Sequence, residues 1–200
     1  MTPDARALLS AALSANGGDA SSDFDLNPGR PPPPAAPLRG AAVLVAVRTD
    51  TIVPRLLLTK RSSALKHHPG QIAFPGGKID PGDPTPEAAA LREAHEEVGL
   101  PDGAAEVLGT LPPHRTVTGF AVTPVLALIA APFQAVPEAG EVDEAFDVPL
   151  AHVLDPQNYL IGARQWRGQT RRYYTVPYGP YYIWGATARI LRGLAARVTT

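Results

Sequence analysis

The chain contains no cysteine and a single methionine among its 200 residues. The first absence excludes disulfides, thiolate nucleophiles and cysteine-ligated metal centres. Strong net charge is missing too. Lys and Arg total 18 against 19 Asp and Glu, a formal balance of −1 that argues against a surface built to grip nucleic-acid backbone. No apolar run approaches the roughly 20 residues that a membrane-crossing helix needs. The opening MTPDARALLS lacks the basic and apolar regions of a secretory leader. These absences together predict a cytoplasmic protein with neither a membrane nor a nucleic-acid partner. The 44% hydrophobic content suffices for one buried domain of ordinary size.

Acids are also absent from one long stretch. From Thr51 to Ile79 there is no Asp or Glu, while Arg55, Lys60, Arg61, Lys66 and Lys78 are cationic. Asp80, Asp83, Glu87, Glu93, Glu96 and Glu97 follow at once. A cationic stretch abutting an anionic one suits a ligand whose phosphates touch Arg and Lys on one side and a metal ion on the other.

Thr2 as cap, Pro3 and the run ARALLSAALSA predict a short N-terminal helix. Residues 15–38 read as linker by composition, with Pro31 to Pro34 extended as polyproline II. The expected organisation is therefore an N-terminal helix and Pro-rich linker over 1–38, then a main domain over 39–200. AAVLVAV from near Gly40 and RLLLT predict buried strands, and further strands are expected over 105–111, 121–130 and 171–176. Thr85 as cap, Pro86 in the first turn and Gly99 as stop frame a helix. WGATARILRGLAARV predicts a last helix with Ile190, Leu191, Leu194 and Val198 on its apolar side. Strands with interspersed helices indicate an α/β fold class.

The middle helix carries Glu93, Glu96 and Glu97 at i, i+3 and i+4, which places them on one face, while Leu91, Ala94 and Val98 are expected to face the core. Two carboxylates about 5 Å apart at an effective dielectric near 20 repel by roughly 3 kcal/mol, and a divalent cation would reverse that penalty. Oxygen-only donors in a chain without cysteine favour Mg²⁺ or Mn²⁺, ions that commonly share their shell with substrate phosphate. The competing reading is a solvated acidic face in which Arg92 pairs with Glu96 at i, i+4.

The whole segment GGKIDPGDPTPEAAALREAHEEVGL, Gly76 to Leu100, resembles the Nudix box. That pattern is Gly, five residues, Glu, seven residues, then Arg-Glu-aliphatic-x-Glu-Glu-x-Gly-aliphatic. Arg92 to Leu100 match it, with Ala94 as the aliphatic residue. The front half departs from it: Asp83 stands in place of Glu, and eight residues rather than seven separate it from Arg92. Upstream, LLTKRSSALKHHPGQIAFPGG is similar to a second signature, that of the coenzyme A pyrophosphatase branch. Leu57 to Ser62, Gly70 and Phe74 to Gly77 match at the right spacing, and Lys66 replaces an arginine. The longer spacing after Asp83 also resembles that branch.

The resemblance implies an α/β/α sandwich with a mixed sheet, and a metal-dependent hydrolase that splits coenzyme A or a derivative into 4′-phosphopantetheine and 3′,5′-ADP. It implies Mg²⁺ or Mn²⁺ on Glu93, Glu96, Glu97 and the Gly77 carbonyl, with Arg92 orienting the glutamates. The general base is Glu93 or, in the preferred assignment, Glu141. Arg61 and Lys66 are assigned to substrate phosphate. A broader hydrolase of nucleoside diphosphate derivatives such as ADP-ribose or dinucleotides is the alternative, and a catalytically silent nucleotide sensor is the second.

Beyond Asp155 the chain has no acid but holds seven arginines and all six tyrosines. Two readings stay open there: rings and guanidinium groups that hold a nucleotide, or rings that pack the domain. Trp184 is read as core, and His67, His68 and His114 as polar loop residues.

Overall fold

The structure, a computed structural model, describes residues 4–15, 20–27, 29, 37–166 and 168–198, with Trp166 by its backbone only. In chain order the elements are α1 (Ala5–Ser14), β1 (Ser21–Ser22), β2 (Arg39–Arg48), β3 (Arg55–Arg61), β4 (Ile72–Ala73), β5 (Gly76–Lys78), α2 (Pro86–Val98), β6 (Ala105–Thr110), β7 (His114–Arg115), β8 (Phe120–Ile129), β9 (Val142–Pro149), α3 (Leu150–Leu154), β10 (Leu160–Trp166), β11 (Gln169–Thr175) and α4 (Ala186–Val198). A 3₁₀ turn over Pro156–Asn158 joins α3 to β10.

Among the described residues nine strands form one mixed sheet, and β10 and β11 form a separate antiparallel hairpin. The sheet is built around β2, which pairs in parallel with β8 over its full length, from Arg39–Phe120 to Arg48–Ile129. Its strands are apolar on both faces, the signature of a sheet covered twice. Side chains alternate along each strand. Ala42, Leu44 and Ala46 of β2, Leu57 of β3 and Val125, Ala127 and Ile129 of β8 meet Ala89, Ala90, Ala94 and Val98 of α2. Val45, Val47, Leu56, Leu58, Leu126 and Leu128 point the other way, against α1, α3 and α4. The expected α/β/α sandwich with a mixed sheet is the fold observed.

The other edge of β2 is divided. β3 pairs with it only at Val47–Leu56 and Arg48–Arg55, then diverges, and β5 takes the remaining edge at Ala41–Lys78, Ala42–Gly77 and Val43–Gly76. Leu44 N–H closes the fork by donating to the Pro75 carbonyl at 2.8 Å. Beyond the fork β3 runs between β4 and β9.

Three expectations need correction. The helix α1 starts on Asp4, whose carboxylate accepts from Arg6 N–H at 2.9 Å, while Thr2 and the tract Pro31 to Pro34 lie outside the described residues. Residues 20–27, read as linker, include β1, which pairs with β7, and a turn docked on the domain. His114, read as a loop residue, is fully buried on β7, with Nδ1 2.9 Å from Ser21 Oγ and Nε2 3.0 Å from Asp23 Oδ1. Among the described residues no helix is long and apolar enough to cross a membrane.

Candidate active site

The fork between β2 and β3 seats the glycine pair beneath α2. Gly76 has φ 152°, and a Cβ there would collide with the backbone of Ala42 and Val43. Its N–H donates to Glu97 Oε2 at 3.0 Å. A Cβ on Gly77 would lie 2.5 Å from the carboxylate of Glu93. Both glycines are therefore needed for close approach, the first also for its backbone conformation.

The helix above them forms for local reasons. Thr85 Oγ1 accepts from Ala88 N–H at 3.2 Å, Pro86 fills the first position, Glu87 lies at the positive end, and Gly99 closes the helix at φ 66°. The carbonyls of Glu97 and Val98, left without helical partners, accept from Glu138 N–H and Val136 N–H, each at 2.9 Å. That docking carries the chain round to Glu141, whose own carbonyl accepts from Ser62 N–H at 2.8 Å.

The three box glutamates do not share one environment. Glu97 is 4% exposed and Glu93 is mostly covered, whereas the side chain of Glu96 is 53% exposed. The phase of the helix explains the split: Glu93 and Glu97 are one turn apart on the sheet side, beside Ala94 and Val98, and Glu96 is one turn from Arg92 on the outer side. Burial pushes the Glu97 carboxyl up to about 7, and Glu93 and Glu141 push it the same way against Gly76 N–H and Arg61. Burial also raises Glu93, with Glu96 and Glu141 adding to it and Arg92 opposing. The mutual effect places Glu93, Glu97 and Glu141 within electrostatic reach of one another.

Arg92 is the hub of the outer side. Its guanidinium grips Asp83 through Nε–Oδ1 at 3.0 Å and Nη2–Oδ2 at 2.9 Å, reaches Glu96 at 3.0 Å and Glu93 at 3.2 Å, and donates to the Lys78 carbonyl at 3.2 Å. Asp83 had no assigned role from sequence, yet it is the principal partner of Arg92. Its oxygen Oδ2 also accepts from Asp80 N–H at 2.8 Å, which closes the turn before the helix. Arg61, at the end of β3, stands 3.9 Å from Glu97 Oε1. Lys66 is exposed on the loop after β3 and makes no hydrogen bond or ion pair with the described residues.

Thus the structure gathers Gly77, Glu93, Glu97, Glu141, Arg61 and Arg92, turns Glu96 toward Arg92 and leaves Lys66 apart. Among the described residues no group of three or more acids and histidines is arranged as a ready cation cage. The chemistry of the donors nevertheless fits a hard dication: all are oxygens, and among the described residues the covered Glu97 carboxylate has only a distant guanidinium as counter-charge.

The profile described as NUDIX domain matches residues 37–166. The chain belongs to the Nudix family. It is 45% identical over 161 residues to the uncharacterized Nudix hydrolase NudL of Enterobacter sp. (strain 638), covering 80% of this chain and 83% of that one. Its identity to the NudL of Klebsiella pneumoniae subsp. pneumoniae is 44% over 180 residues, 90% of this chain and 93% of that one. A MutT/nudix family protein from Enterococcus faecalis superposes with a TM-score of 0.50 at 17% identity, covering 86% of this chain and 66% of the other, which shows the shared fold. This Nudix chain is accordingly a hydrolase of a diphosphate substrate.

Proposed function

We propose that the protein is a metal-dependent pyrophosphatase that cleaves the diphosphate of coenzyme A or a derivative, giving 4′-phosphopantetheine and 3′,5′-ADP. The observation that carries this reading is the meeting of two sequence signatures at one place. Arg61 of the upstream motif stands 3.9 Å from Glu97 of the box, and the motif's last residues, Gly76 and Gly77, seat Glu97 and Glu93.

Glu93 and Glu97 would hold Mg²⁺ or Mn²⁺ with the Gly77 carbonyl, and Glu96 would join them on leaving Arg92. When bound, such an ion neutralises diphosphate oxygens and acidifies a coordinated water. The chain's own residues supply the rest. Arg92 holds Glu93 and Glu96 in register from the outer side of the helix. Arg61, and Lys66 from its loop, bind substrate phosphate, so that one phosphorus faces water while the other phosphate leaves. Glu141, exposed at the start of β9 and close to Glu93 and Glu97, takes the proton from the attacking water. Glu93 is the less available base because Arg92 already holds it.

Lys66 supports a second reading. A lysine lacks the planar fork that grips phosphate in a bidentate manner, and this one is not preorganised by any described neighbour. A broader hydrolase of nucleoside diphosphate derivatives such as ADP-ribose is the alternative. The silent-sensor reading is disfavoured by the retained carboxylates, whose mutual repulsion a sensor has no use for. Incubation with coenzyme A, ADP-ribose and a cap analogue, with and without Mg²⁺ or Mn²⁺, followed by mass spectrometry, decides among them. The expected products are 4′-phosphopantetheine and 3′,5′-ADP, formed only with metal. Intact coenzyme A beside cleaved ADP-ribose overturns the substrate assignment.

A further inference from the structure

Four of the six tyrosines, Tyr159, Tyr174, Tyr178 and Tyr181, pack against the core beneath α3 and α4, but Tyr173, Tyr182 and Trp184 do not belong to it. Trp184, expected from sequence in the core, is instead partly exposed. These three rings form their own cluster on the β10–β11 hairpin and the turn that follows it. Tyr173 and Trp184 meet at 5.0 Å with their planes tilted by 58°, and the Tyr173 and Tyr182 hydroxyls are 3.3 Å apart. The ring of Tyr173 lies on Gly162, where a Cβ would come within 2.7 Å of it. The exposed Arg164 sets its guanidinium 5.3 Å from the Trp184 ring. Tyr182 is 48% exposed.

We propose that this face, Tyr173, Tyr182 and Trp184 with Arg164 at its side, seats the nucleobase of the diphosphate substrate. The proposal rests on the coenzyme A reading and deepens it by assigning the adenine end. Three observations support it. The first is position. Gly185, next to Trp184, lies 3.6 Å from the Gln71 side chain as measured from an added Cβ, and the Gln71 carbonyl accepts from Arg61 N–H at 3.0 Å, so the end of the turn that carries the rings approaches the segment paired with the phosphate-binding arginine. The second is rigidity. Tyr181 hydroxyl donates to Glu144 at 2.5 Å and its ring stacks on Phe146 at 3.6 Å, while Thr187 hydroxyl donates to the Ile72 carbonyl at 3.0 Å. The turn is thus pinned to β9 on one side and β4 on the other. The third is chemistry. An exposed ring beside two partly exposed ones, with a neighbouring guanidinium, offers stacking and positive potential to an electron-rich heterocycle that carries phosphate.

The test uses the full chain and its Tyr182→Ala and Arg164→Ala variants, both at exposed positions where the fold is preserved, as circular dichroism verifies. Each product is titrated as an inhibitor of coenzyme A cleavage. Inhibition by 3′,5′-ADP is expected to weaken about tenfold or more in both variants, in line with the loss of one base-stacking contact. Inhibition by 4′-phosphopantetheine and kcat should stay within about twofold, so that the change falls on KM. Equal weakening for both products, or for neither, overturns the proposal and leaves the coenzyme A reading standing. If the wild-type protein does not cleave coenzyme A, that reading fails by itself, and quenching of tryptophan fluorescence by 3′,5′-ADP decides the platform. Saturable quenching that Tyr182→Ala abolishes supports it, and absence of quenching in the wild type overturns it.

Discussion

Glu97 is an ionisable group held where ionisation is costly, and that has measurable consequences. Its carboxyl titrates near 7 in the folded chain against an ordinary value of 4.5. Below pH 4.5 the group is protonated whether folded or not, and stability is unaffected. Between pH 4.5 and 7 the folded state keeps a proton that the unfolded chain releases, so stability falls as pH rises. With each tenfold in proton affinity worth about 1.4 kcal/mol, the loss approaches about 3 kcal/mol above pH 7. Chelator-treated protein should therefore melt at a higher temperature at pH 5 than at pH 8, with Mg²⁺ narrowing the gap. A flat profile would mean that Glu97 is solvated. Glu97→Gln keeps an oxygen for Gly76 N–H and deletes the charge, which predicts two opposite changes at pH 8. Urea unfolding of the metal-free variant should shift to higher concentration, while turnover drops by orders of magnitude. A Cβ at Gly77 would press on the Glu93 carboxylate at 2.5 Å, so Gly77→Ala should lose both activity and about 1–3 kcal/mol of stability, read by the same two assays.

At the scale of elements, legibility followed the source of each element's stability. The helix α2 was readable because its signals are local: a threonine cap, proline in the first turn and glycine at the end. Thr85→Ala should accordingly cost about 1 kcal/mol in urea unfolding with kcat unchanged, since the cap stands at the far end of the helix from the carboxylates. The division of the glutamate trio was less readable. Spacing alone puts residues 93, 96 and 97 on one face, but which flank of that face meets the sheet depends on the fork that admits Gly76 and Gly77. The strand β9 was hidden for a different reason. Its sequence VDEAFDVP reads as an acidic loop, yet each acid has a distant partner: Asp143 accepts from Ser63 N–H, Glu144 from Tyr181 and Asp147 from Arg48. Those contacts join residues some 37 to 99 positions apart, beyond the reach of any local pattern. The strand β5 is hidden in the same sense, since Gly-Gly-Lys has no strand propensity and extends only because β2 and β3 leave an edge open.

For the whole molecule, the decisive question is whether the N-terminal segment is an appendage or part of the fold. Composition marks it as a helix and a spacer, and that holds for α1 as an element. Its burial says more. Ala5, Leu9 and Ala12 are buried in the same core as Leu191 and Leu194 of α4, and Arg6 binds Glu106 of β6 through two contacts of 2.7 and 2.5 Å. On α4, Arg197 returns a bond to the Ala12 carbonyl at 3.3 Å. Farther on, Asp23 divides its carboxylate between the buried His114 and Val117 N–H, so removing this segment would leave polar groups of the sheet without partners. An appendage would unfold by itself and leave the domain's transition unchanged. An integrated segment must instead share one transition, and Leu9→Ala tests this directly. Leu9 is fully buried, so the substitution should lower the unfolding free energy by about 2–5 kcal/mol, with a single cooperative transition at a lower urea midpoint and an unchanged slope. kcat under native conditions should stay near wild type, because α1 lies across the sheet from α2 and the carboxylates. A wild-type midpoint, or an early separate phase with the main transition unmoved, would show that the segment packs on the domain without contributing to its stability.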